Sequence, residues 1–155
     1  MATASSLGLF LDSLRAQLLL RGGLAGVRIF TGPVGDHEIG AENIVFAVDP
    51  VDVGQAYPTV PQREAFESYS VEGRIWIVKP GGGETAIKAA RDRALAILGE
   101  VQSECIGNDT MTTGGTASVR DVLLTSYKLE QAALDAARDC RIAFTLEVKG
   151  EYTAP

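Results

Sequence analysis

Glu67-Ser68-Tyr69-Ser70-Val71-Glu72-Gly73-Arg74-Ile75-Trp76-Ile77-Val78 decides the fold. Tyr69, Val71, Ile75 and Ile77 alternate with Ser68, Ser70, Glu72 and Arg74, so one face is apolar and the other polar up to Trp76 and Val78. That two-residue period predicts a long strand with one buried face. Pro80-Gly81-Gly82-Gly83 breaks it. A helix is predicted over residues 84–105, where Ile87, Ala90, Ala94, Ile97, Leu98, Val101 and Cys105 form an apolar stripe. Lys88, Arg91, Asp92 and Glu100 point elsewhere, Glu84 suits the first turn, and Gly107 marks the end.

Upstream, residues 5–21 read as a helix, because Leu7, Leu11, Leu14 and Leu18 recur at helical spacing with Phe10 and Leu19 beside them. Ser5 or Ser6 can cap it, Gly22-Gly23 ends it, and Arg21 suits the negative end of its dipole. Residues 27–31 and 43–48 are short strands, the second with Ile44, Phe46 and Val48 on one face. Residues 49–66 carry prolines at 50, 58 and 61 and read as a long ordered loop or arm. Downstream, residues 108–118 read as a polar loop and 119–129 as a strand. Residues 130–139 read either as one or two helical turns or as a connection between strands. Ile142, Phe144, Leu146 and Val148 make 141–149 a cleanly alternating strand.

Consecutive strands without intervening helices argue against a doubly wound parallel sheet. They favour an α+β fold: a mostly antiparallel sheet of four to five strands, two helices on one face, and long loops or arms. The 155 residues match one domain spanning 1–155. With 14 Lys and Arg against 20 Asp and Glu, the net charge is −6, which opposes broad phosphate binding. The amino-terminal stretch lacks a basic region and Asp12 interrupts it, so no secretory signal is expected, nor a membrane span.

The chemical motifs are weak. Gly81-x-Gly83-x-x-Ala86 matches a loose dinucleotide pattern, but Pro80 and Glu84 intrude and a flexible turn explains it better. His37, between Asp36 and Glu38, reads as a solvated turn residue. Glu64 and Glu67 resemble a carboxylate pair, yet surface solvation explains them better. Lys88, Arg91 and Arg93 form too small a basic face for nucleic acid. With His37 the sole histidine and no Cys-x-x-Cys, no metal site is expected. Cys105 and Cys140 read as buried thiols, with a disulfide between them the alternative. Catalytic residues and cofactors are therefore expected to be none. Phe10, Phe30, Phe46, Tyr69, Phe144 and Tyr127 fall at inward positions. Trp76 reads equally as exposed or as packed under the helices. Tyr57, on a Pro-rich arm, suits anchorage to a neighbouring subunit.

The order of these elements resembles the tail terminator (tail completion) proteins of long-tailed bacteriophages. Four features carry the likeness: the opening Leu-rich helix and strand 27–31; the arm Gln62-Arg63-Glu64-Ala65-Phe66 entering the long strand; the helix Ala89-Ala90-Arg91-Asp92-Arg93-Ala94-Leu95-Ala96-Ile97-Leu98; and the close Asp139-Cys140-Arg141-Ile142-Ala143-Phe144-Thr145-Leu146-Glu147-Val148. The resemblance implies a non-enzymatic virion protein, assembled in the host cytoplasm. It implies a ring, usually hexameric, at the head-proximal end of the tail. Such a ring stops tail tube growth, meets the tail tube protein and the head–tail connector, and passes genome DNA without specific binding. On that reading Gln55, Tyr57, Pro58, Arg63, Glu64, Trp76, Met111 and Thr112 are expected at subunit interfaces. The alternatives are another connector or completion protein, a tail tube relative, or a small nucleotide-binding domain using the Gly81–Gly83 turn.

Overall fold

The computed structural model describes residues 5–56, 64–107, 112–113 and 117–153. Its helices are α1 (Leu7–Leu19) and α2 (Gly83–Gly107). Its strands are β1 (Arg28–Phe30), β2 (Glu42–Phe46), β3 (Val53–Ala56), β4 (Glu64–Pro80), β5 (Thr112–Thr113), β6 (Ala117–Leu134) and β7 (Ala137–Thr153). They form one sheet in the order β1-β2-β4-β7-β6-β5, with β3 also paired to β4. Only β1 and β2 run parallel. The expected α+β architecture is present. Five strands match the sequence reading, and two short ones, β3 and β5, lie within segments read as loops.

The two open readings of residues 130–139 resolve as a hairpin. β6 continues to Leu134, turns at Asp135-Ala136, and β7 begins at Ala137. The alanines there misled the reading because Ala favours helix locally. Tertiary pairing overrides that preference: Gln131, Ala132 and Ala133 stand opposite Cys140, Asp139 and Arg138. Gly81 N–H donates to Ala136 O (2.9 Å), tying the hairpin tip to the turn after β4. Gly81 and Gly83 hold φ values of +95° and +74°, which side chains with a Cβ rarely adopt, and this sharp turn sends the chain from β4 into α2.

Both helices cover the face that carries Tyr69, Val71, Ile75 and Ile77 of β4 and Cys140, Ile142, Phe144, Leu146 and Val148 of β7. Phe10, Leu14 and Leu18 come from α1, and Ala90, Ala94, Ile97, Val101 and Cys105 from α2. Each fully buried Leu or Phe contributes about 1.5–3 kcal/mol. Arg21 does more than face the helix end: its Nε donates to Glu100 (2.5 Å) and its Nη1 to Glu104 (2.8 Å), joining the end of α1 to α2. Arg93 Nε meets Glu42 at 2.7 Å and joins α2 to β2. Cys105 and Cys140 are both buried and free, and burial pushes the Cys105 thiol up to about 12. Tyr127 stands opposite Phe144 but is exposed, which corrects its expected place in the core.

Gly73 pairs with Phe144 across β4 and β7, and the Phe144 ring sits over it, edge-on to Phe46 at 5.8 Å. A Cβ at Gly73 would lie 2.6 Å from Phe144 Cε2. Gly73→Ala should therefore displace the ring and cost about 1–3 kcal/mol. Thermal unfolding should show a Tm several degrees lower; an unchanged Tm would mean the ring does not rest there.

Candidate functional site

The other face of the sheet carries neither α1 nor α2. Ser68, Ser70, Glu72 and Arg74 of β4 are exposed on it, beside Arg141, Ala143 and Glu147 of β7. Trp76 belongs to this face, which settles the even reading in favour of the side away from the helices. Its indole Nε1–H donates to Asp139 Oδ2 (2.9 Å), and the Arg141 guanidinium lies 4.3 Å from its ring centroid. Arg141 Nη2 also meets Asp139 Oδ2 at 3.1 Å. A buried carboxylate thus holds both the indole and the cation stacked on it. Pro33, Val34, Ile39 and Val48 wall a groove of about 510 Å³ beside Trp76, with Arg74 and Lys128 at its rim. Val48 lies beyond the end of β2 and lines this groove, so it does not join Ile44 and Phe46 in the core.

The expected interface residues divide into three groups. Tyr57, Pro58, Arg63 and Met111 lie outside the described residues. Gln55 of β3, Glu64 of β4 and Thr112 of β5 gather at one end of the sheet. The register shows this directly: Ala56, Phe66, Glu151, Ser118 and Thr112 stand in one row across β3, β4, β7, β6 and β5. Trp76 lies ten residues from Phe66 along β4, about 33 Å at the usual strand rise. One compact patch therefore does not unite all of them.

Gln55 has an inward task as well. Its Nε2 donates to Glu67 Oε1 (2.9 Å). Glu67 is only 1% exposed, which corrects its reading as a solvated surface acid. Its Oε2 accepts the backbone N–H of Ser6 (2.8 Å), the Ser6 hydroxyl (2.6 Å) and the Ser5 hydroxyl (3.2 Å). The Ser5 hydroxyl accepts the Leu7 N–H (3.2 Å) at the start of α1. Ser6 is the N-cap residue without a side-chain cap bond, and the carboxylate of Glu67 meets the positive end of the helix instead. Sequence reasoning missed this because the partners lie 61 and 12 residues away. The available signal was an acid at an inward position of the alternation, in phase with Tyr69.

Burial pushes the Glu67 carboxyl upward, but the bonds from Ser6, Gln55 and Ser5 outweigh it and hold the carboxyl below its ordinary range. Burial holds the Tyr69 hydroxyl up at about 12, and it lies 3.1 Å from Ser6 Oγ. On the bare face, hydrogen bonding to Asp49 raises the Glu72 carboxyl above its ordinary value.

Among the described residues no group of three His, Cys, Asp or Glu is placed to hold a metal ion, and no helix is long and apolar enough to cross a membrane. The Gly81–Gly83 turn leaves a strand whose neighbours β2 and β7 are antiparallel to it. The dinucleotide arrangement needs parallel strands at that point. His37 sits in a short 3-10 turn, exposed. The small basic face on α2 is partly neutralised, with Lys88 bound to Asp92 and Arg93 to Glu42.

Fold and surface define an α+β protein with one helix-clad sheet face and one bare face centred on an anchored tryptophan. The same fold occurs in a chain of the solved virion of a native gene transfer agent (GTA) particle, at a TM-score of 0.56 and 15% sequence identity, covering 95% of this chain and 99% of that one. No protein-family model matches the sequence, and no curated protein matches it.

Glu67 has a folded-state pKa below its unfolded value, so its stabilisation is complete above the unfolded value and fades as pH falls through the folded one. Glu67→Gln should lower stability at pH 7 by about 1–3 kcal/mol, since an amide must turn an N–H toward Ser6 donors or lose Gln55. It should also flatten the acid limb of the stability profile below about pH 4.5. Denaturant unfolding across pH 3–7 checks this; parallel profiles for both proteins would contradict it.

Proposed function

We propose that this chain is a structural component of a phage-like virion, specifically a tail terminator. In this reading the 1–155 domain forms a ring, hexameric in the family it resembles, at the head-proximal end of the tail. The ring stops tail tube growth and offers a surface to the head–tail connector. The single observation that supports it most is the fold match, which runs over nearly the whole of both chains and relates this one to a protein of an assembled particle.

Physical features agree with the assignment. A ring requires contacts between unlike surfaces that close by rotation. Gln55, Glu64 and Thr112, gathered at one end of the sheet, provide one such surface, and the arm bearing Tyr57, Pro58 and Arg63 continues from it in sequence. The bare face with Trp76 provides another. The net charge of −6 suits a channel through which DNA slides without phosphate anchoring. The role is non-enzymatic, with no cofactor and no membrane contact, and the location is the virion tail.

The neighbouring reading is another connector or completion protein of the same junction, and one experiment separates the two. Particles assembled without this protein should show overlong tails lacking heads under negative-stain electron microscopy. Filled heads beside tails of normal length would assign the chain to the connector. Normal particles would remove it from assembly altogether.

A further inference from the structure

β6 carries β5 only at Ala117 and Ser118. From Val122 to Leu134 no described strand lies against its side away from β7. Leu123, Tyr127 and Leu134 stand along that stretch with 52%, 56% and 44% of their surface exposed. A long edge with unpaired N–H and C=O groups is a template for another strand. The opposite edge is blunted: β1 has three residues, and Arg15 Nε donates to the Ile29 carbonyl (3.0 Å). On β6 such a bond is made at the hairpin end, where Arg138 Nη1 donates to the Leu134 carbonyl (3.2 Å), while the Gln131 amide turns to Ile87 O on α2.

We infer that β6 pairs antiparallel with β6 of a second copy, about a two-fold axis at Leu129, so that two sheets become one. The sequence along the edge is self-complementary only in that register. Lys128 then faces Glu130 of the second copy, and Glu130 faces its Lys128. Moving the axis to Lys128 sets lysine against lysine; moving it to Glu130 sets glutamate against glutamate. Within one chain these two already meet at 3.1 Å, both well exposed, so pairing converts one ion pair into an alternating cluster of four charges.

The rest of the edge follows. Tyr127 faces Gln131 of the second copy. The register shift between Leu124 and Ser126 takes one residue out of the count, so Leu123 comes to face Leu134. Their β7 partners, Glu147 and Ala137, share the phase of Arg141, so both leucines lie on the bare face and cover each other. One register thus accounts for all three exposed apolar side chains and both charges. The contact is isologous, unlike the contacts that close a ring. It is independent of the virion assignment.

The test uses the full chain and two charge reversals. Analytical ultracentrifugation should find a dimer of the wild-type protein. Lys128→Glu and Glu130→Lys should each weaken it by about ten-fold or more, because each places like charges opposite at two symmetric points. An equimolar mixture of the two variants should recover a dimer containing one of each, and the double variant should dimerise with itself. That recovery also shows that both variants fold. A monomeric wild type, variants that dimerise like wild type, or a mixture that stays monomeric would each overturn the pairing. A hexamer indifferent to both charge changes would overturn it while leaving the ring assignment intact.

Discussion

Seventeen consecutive backbone pairs join β4 to β7, from Glu64 against Thr153 to Pro80 against Ala137. The rest of the structure depends on that ladder. At about 3.3 Å per residue it runs some 55 Å, roughly three times an ordinary strand. A ladder of that length fixes which face each side chain takes, because a slip of one residue would turn every core-facing side chain of β4 outward. Gly73 is where it is most sensitive, since the Phe144 ring occupies the space a side chain would need. The helices lie on one face only. At 25 residues α2 spans about 37 Å and at 13 residues α1 spans about 20 Å, so a single layer covers that side. The other side is left to solvent or to neighbours.

Much of this architecture was legible in the residues. The alternation through Tyr69, Val71, Ile75 and Ile77 set the phase of β4, and the stripe from Ala90 to Cys105 set the buried side of α2. What was not legible depended on distant partners. Ala132 and Ala133 favour a helix in isolation, and only the pairing with Asp139 and Arg138 makes them strand. Glu67 looked like a surface acid because it sits where a loop was expected to enter a strand, with little apolar shelter; its burial is possible only because the start of α1 brings it three donors. Trp76 was ambiguous because its phase matched Arg74 on one side and Val78 on the other, and Asp139, 63 residues away, decides its orientation.

The candidate surfaces were less legible than the core. Gln55, Glu64 and Thr112 do converge at one end of the sheet, but only the register across five strands reveals it. The exposed edge of β6 left little trace in the sequence. Tyr127 reads as a core residue of an alternating strand, and its exposure follows from β6 lying near the margin of the sheet; Leu123 and Leu134 are exposed on the bare face. Edge position is a property of topology, which local pattern does not encode.

The bare face, the gathered sheet end and the fold shared with a virion chain support the proposed account, in which this protein is surrounded by others at the head-proximal end of a tail. Its most direct test is to purify intact particles and label this chain with gold-coupled antibody. The account predicts label confined to the junction of head and tail. Particles that lack the protein, or label spread along the whole tail, would contradict it.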